Sequence, residues 1–128
     1  MKKGKYNVLV TGAGKGIGHE TVKHLIKHGY FVYALVKDKK DNKNFDLNKN
    51  LKIINGNVNN KNLIKKIFND ANKDNRIISG LVNNAGIRQR KNFLKINKHD
   101  LDGIFETNFF SIFNLIQIFS KNLIKKRI

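Results

Sequence analysis

The stretch Val8-Leu9-Val10-Thr11-Gly12-Ala13-Gly14-Lys15-Gly16-Ile17-Gly18 allows few folds. A β-branched run stops at a glycine cluster, and the residues after it take up helical periodicity, with Val22, Leu25 and Ile26 on one face and Gly29 as the stop. That is a strand, a tight turn and a helix. Glycines at 12, 16 and 18 leave no Cβ between the backbone and a bound group, and the amides that open the helix point outward with the positive end of its dipole. Such a turn is built for an anion.

Two common phosphate-binding patterns fail here. A GxGxxG fingerprint from Gly12 needs glycine or alanine where Ile17 stands, and a P-loop needs Ser or Thr where Gly16 follows Gly14-Lys15. What remains is T-G-x-x-x-G-x-G, which a turn without a ligand also satisfies.

Downstream, strands alternate with helices. The first strand is Tyr6 to Val10, followed by a helix from about Gly16 to His28 and a second strand, Phe31 to Val36. Lys37 to Asn50 is a polar connection in which any helix is short or absent. Leu51 to Gly56 forms a third strand, and Asn59 or Asn60 caps a helix with Leu63, Ile64, Ile67, Phe68 and Ala71 at helical spacing. Ile77 to Val82 is a fourth strand, ending in Asn83-Asn84-Ala85-Gly86. Ile87 to Lys98 is irregular, and a long helix runs from about His99 to Lys126, apolar around its whole circumference over its middle. The sheet covers one of its faces, so a second subunit or another part of the fold is expected to cover the rest. The alternation predicts a Rossmann-like α/β fold, a parallel sheet in the order 3-2-1-4 with right-handed crossovers and a crevice at the carboxyl ends of strands 1 and 4. Both signatures fall there.

Thr11 to Gly18 together with Asn83 to Gly86 resemble the classical short-chain dehydrogenase/reductase family, over the whole chain but only the amino-terminal half of the family's fold. The resemblance implies an NAD(P)-dependent oxidoreductase that moves a hydride between the nicotinamide and a carbonyl or alcohol carbon. Gly12, Gly16, Ile17 and Gly18 then line the pyrophosphate, and Asn84, Ala85 and Gly86 pass the ribose and nicotinamide. Asn83 ties strands together through its amide. Asn57-Val58 stands where relatives carry Asp-Val against adenine, and an Asn oxygen still accepts the adenine amino hydrogen bond. NAD-preferring relatives have an acid at the end of the second strand; here Val36 is followed by Lys37, and Lys15 precedes Gly16, so NADP(H) is expected over NAD(H). The same lysines are also two members of a lysine-rich surface.

The family's chemistry uses Asn, Ser, Tyr and a Lys four residues after the Tyr. Asn108 matches the Asn; the other three are expected beyond residue 128. The one Tyr-x-x-x-Lys present, Tyr33 to Lys37, lies on a strand, where the spacing spans roughly 13 Å rather than the about 6 Å of a helix, and Tyr33 reads as a packing residue. His19, His24 and His28 read as solvated residues of the first helix, His24 and His28 lacking a third metal ligand; His99 starts the last helix, and Asp38, Asp41 and Asp46 lack metal-loop spacing. No metal site is expected. Three readings of the end at Ile128 stay open: a partial sequence, a frameshift and a stand-alone nucleotide-binding module. Little turnover by this chain alone and self-association through the last helix are the expectations.

Composition sets the remaining bounds. The chain, residues 1–128, reads as one domain, an NADP(H)-binding Rossmann domain incomplete against the family fold. It has no Cys, and its basic start, 1–5, precedes too short an apolar run for a signal peptide or a membrane span, so a soluble cytoplasmic protein is expected. A net charge of +17 raises nucleic acid as a partner, yet the lysines are scattered without a like-charge run. A compositional bias toward Lys, Asn and Ile fits better, and the charge still draws polyphosphates. A non-catalytic dinucleotide-binding or oligomerisation module and a basic nucleic-acid binder are the alternatives.

Overall fold

The computed structural model describes residues 6–128; the basic start read from the sequence, 1–5, lies outside the described residues. The strands are β1 (Asn7–Thr11), β2 (Phe31–Val36), β3 (Leu51–Asn55) and β4 (Ile78–Val82), and the helices α1 (Gly16–Lys27), α2 (Lys61–Lys73), α3 (Lys98–Phe105) and α4 (Ser111–Lys125). All pairings are parallel and the order is β3-β2-β1-β4. The expected Rossmann-like sheet is the one observed.

Strand alternation splits the core in two. Leu9, Tyr33, Leu35 and Ile78 face one side of the sheet and pack with Ile64, Ile67, Phe68 and Ala71 of α2 and Leu115 of α4. Val8, Val10, Val32, Ala34 and Val36 face the other side and meet Val22 of α1. β1 and β2 are therefore buried along their whole length, as a strand covered on both faces must be. Tyr33 is a core tyrosine, 1% exposed, its hydroxyl without a hydrogen-bond partner among the described residues and its pKa raised by burial. It is no catalyst.

The long helix expected from about His99 to Lys126 is present from Lys98 to Lys125, and between α3 and α4 it takes a π-helical turn, Glu106–Phe110. The amide of Asn108 explains it: its Nδ2 donates to the carbonyl of Ile87 at 2.7 Å and its Oδ1 accepts from the Ile87 amide at 2.8 Å, so one side chain holds the helix against the preceding loop. One reading is corrected: His19 is half-buried rather than solvated; its ring bonds the Asn44 carbonyl at 2.9 Å and meets Phe45 edge-on.

No helix among the described residues is long and apolar enough to cross a membrane, and no group of three or more His, Cys, Asp or Glu could hold a metal ion. His24 and His28 are exposed and lie ring against ring at 4.2 Å.

Candidate functional site

β1 and β4 are parallel neighbours, so their carboxyl ends leave the sheet side by side. Three hydrogen bonds join the two corners. The Thr11 hydroxyl accepts from the amides of Asn84 at 3.1 Å and Ala85 at 3.0 Å, and Asn84 Nδ2 donates to the Gly12 carbonyl at 3.0 Å. The corner bond expected of Asn83 is made by Asn84, whose Nδ2 reaches across to the turn after β1. Gly12 has φ +61°, and a Cβ there would lie 2.8 Å from Ala85 Cα. Backbone conformation and the neighbouring corner both demand glycine.

Beyond this corner α1 begins without a cap. Lys15 is extended and offers no side-chain hydrogen bond to the first turn, which also carries no acid. The opening amides of a helix have no partner inside it, so the turn of Gly16, Ile17 and Gly18 presents donors and positive potential outward. Gly16 takes φ +59° with open space around it, and Ile17 is 80% exposed.

A cavity of about 260 Å³ runs along the rim of the sheet. Gly12, Gly14 and Lys15 line it from the glycine turn, Leu35, Lys37 and Asp41 from the end of β2 and beyond, Gly56 and Val58 from the end of β3, and Asn84 to Ile87 from the end of β4, with Thr107 from the π-turn. Of the residues expected at a dinucleotide, the structure gathers Gly12, Lys15, Lys37, Val58, Asn84, Ala85 and Gly86 around this one space. Gly16, Ile17 and Gly18 form the helix turn next to it. Asn57 is not among the walls; its oxygen accepts from the Asn59 amide at 2.9 Å, closing its own turn. Asn108 reaches the site through Ile87, as described above.

The outer wall was not legible as a wall. Lys39–Asn44, read from the sequence as part of a solvated connection, is a 3₁₀ turn fastened by Asn42 and Asn44. Asn44 Nδ2 donates to the Gly14 carbonyl at 2.9 Å, and the side chains of Asn42 and Asn55 exchange amide hydrogen bonds at 2.8 and 2.9 Å. Asn55 Nδ2 also donates to the Val36 carbonyl at 3.1 Å. Sequence reasoning missed Thr11, Asp41 and Thr107. Thr11 alone had a signal, as the hydroxyl that opens the T-G-x-x-x-G-x-G pattern.

A family model described as short chain dehydrogenase matches residues 6–128. Among curated proteins, 3-oxoacyl-(acyl-carrier-protein) reductase FabG of Staphylococcus epidermidis is 29% identical over 127 residues, covering 94% of this chain and 52% of the relative. The chain thus spans about half the length of the curated relatives it matches. Among solved structures, a variant of ElxO with NADPH bound superposes with a TM-score of 0.84 at 25% identity, covering 94% of this chain and 51% of that one. A 4-hydroxyisoleucine dehydrogenase complexed with NADH gives 0.82 at 22% identity, over 96% and 52%, a likeness of fold.

Proposed function

Because the chain belongs to the short chain dehydrogenase family, we propose that its rim cavity binds a nicotinamide dinucleotide, NADP(H) ahead of NAD(H), in the service of carbonyl or alcohol oxidoreduction. The observation that carries the reading is the convergence of the two glycine-bearing corners on one cavity that Lys15 and Lys37 also line. The family takes both cofactors, as the NADPH complex of ElxO and the NADH complex of 4-hydroxyisoleucine dehydrogenase illustrate.

In this reading Gly12, Gly16, Ile17 and Gly18 hold the pyrophosphate through backbone amides and the uncapped start of α1. Lys15 and Lys37 take the 2′-phosphate, Asn57 and Val58 border the base, and Asn84, Ala85 and Gly86 lead to the nicotinamide. When bound, the dinucleotide supplies the hydride donor or acceptor. Asn108 acts as a positioning residue: with both ends of its side-chain amide on Ile87, it fixes the loop after Gly86. Residues 1–128 serve as the cofactor-binding domain of a cytoplasmic protein. A purely nucleotide-binding role shares the same site and is distinguished only by the absence of turnover in any longer form.

The last helix is proposed as a self-association surface, since Phe105, Phe109, Phe110, Phe113 and Ile116 stay exposed when the sheet and α2 have covered what they can.

Calorimetric titration of the chain with NADPH and NADH tests the cofactor reading. NADPH is expected to bind more tightly, and Lys15→Gln with Lys37→Gln to abolish that advantage. Tighter NADH at moderate salt overturns the preference, and no binding of either overturns the site.

A further inference from the structure

We infer that Asp41 sets which of the two dinucleotides the cavity prefers, acting as the counterweight to Lys15 and Lys37. The inference rests on the dinucleotide reading above and goes beyond it. An acid that reads a ribose is looked for at the end of the second strand, and Val36 stands there. The structure supplies a carboxylate from elsewhere. Asp41 lies on the 3₁₀ turn that follows β2, and it is the one acid lining the cavity among the described residues.

Its position is built. A Cβ on Gly14 would come within 2.9 Å of Asp41 Cβ and 3.1 Å of Asp41 Oδ2, so the carboxylate rests directly on the glycine turn where any other residue would push it away. The turn that carries it is held by Asn44 on Gly14, by the Asn42 and Asn55 amide pair, and by His19 on the Asn44 carbonyl. Asp41 is only half-exposed, and its carboxylate forms no ion pair among the described residues, although Lys15 and Lys37 line the same space. Asp41 thus lines the cavity with its carboxylate against the glycine turn and without a salt-bridge partner among the described residues.

The chemistry follows from charge. A carboxylate accepts hydrogen bonds from a vicinal diol and repels a phosphate at the same carbon, whereas two ammonium groups do the reverse. The cavity holds both kinds of group, so its preference is a balance rather than an absolute, and Asp41 is the arm of the balance that favours the unphosphorylated ribose.

The test measures the affinities of NADPH and NADH for the full chain and its variants at one fixed ionic strength. Asp41→Asn keeps the shape and is expected to move the NADPH-to-NADH affinity ratio toward NADPH by about fivefold or more, the worth of one unit charge near the phosphate in a watery site. Asp41→Ser repeats the measurement should the amide refold the turn, with circular dichroism confirming the fold of each. Asp38→Asn removes the same charge from the residue preceding the turn, outside the cavity walls, and is expected to change the ratio by less than about twofold because water and salt screen it. An unchanged ratio in both Asp41 variants, or an equal shift in Asp38→Asn, overturns the role of Asp41 while leaving the dinucleotide site intact. Failure of the unmutated chain to bind either dinucleotide overturns both.

Discussion

The corner at the ends of β1 and β4 and the helical segment after residue 98 solve the problem of unsatisfied surface in opposite ways. At the corner, Thr11 is buried, and it and Asn84 bond across to the neighbouring corner, with glycines where side chains would not fit. Along the last helical segment only Ser111 and Leu115 are buried, and the phenylalanines at 109, 110 and 113 stand open at 58%, 49% and 54%. The corner is finished by this chain's own contacts, while the aromatic face has apolar area to spare. The difference separates a region closed by its own hydrogen bonds and missing side chains from one that leaves an aromatic face exposed.

The sharpest way to break that comparison is to put one methyl group in each region. At Gly18 a Cβ would overlap the carbonyl oxygen of Gly12 and lie 2.5 Å from Asn84 Nδ2, both backbone or bonded atoms that cannot step aside. Gly18→Ala is expected to cost about 3 kcal/mol in urea unfolding. Gly103 in α3 has nothing within 4 Å of its would-be Cβ, and Gly103→Ala is expected to stabilise by about 0.5–1 kcal/mol, the ordinary helix gain. Equal costs at the two sites would mean that the corner is no more constrained than the helix.

A second measurement sharpens the other half. Phe109 and Phe110 meet edge-on at 5.4 Å and, with Phe113 and Lys61, border an open groove. Phe109→Ser with Phe113→Ser is expected to change monomer stability by no more than about 0.5 kcal/mol per site, as surface substitutions do. In sedimentation velocity the unmutated chain is expected to run as a dimer or larger and the double variant as a monomer. A parent chain that sediments as a monomer at high concentration removes the self-association proposal.

The same contrast explains what the sequence disclosed. The strands and the burial of β1 and β2 follow from short-range pattern, a β-branched run, a glycine cluster, a polar stop, and the alternation of strands with helices then carries the strand order and the meeting of the two corners. Asn60 capping α2 through the Leu63 amide is of the same kind. The wall made by Lys39–Asn44 was hidden because its anchors are single asparagine amides reaching 13 to 30 residues away, and no periodicity marks such a bond. Asp41 looked like any loop acid for that reason. The π-turn was hidden likewise, since its cause is the reach of Asn108 to Ile87 and not a helix-breaking residue.

The smallest effect probes how differently the two regions respond to acid. The bonds that close the corner run between a hydroxyl, amides and carbonyls, none of which titrates between pH 2 and 7. The start of α3 is instead held by Asp100, which exchanges capping-box bonds with Asn97 and receives Lys91 Nζ at 2.7 Å. The Lys91 hydrogen bond first, and the Asn97 amide after it, hold the Asp100 carboxyl below its ordinary range. A folded pKa lower than the unfolded one, about 3.9 for an aspartate, gives stability that is present above the unfolded value and lost as pH falls through the folded one. Carbon-detected NMR should therefore find the Asp100 midpoint below that of an unfolded aspartate, and Lys91→Met should bring it back up. The amide resonances of Asn84 and Ala85 should stay put over the same titration. If they moved together with Asp100, the corner would be leaning on the helix start, and the division between a self-contained corner and a dependent helix would not hold.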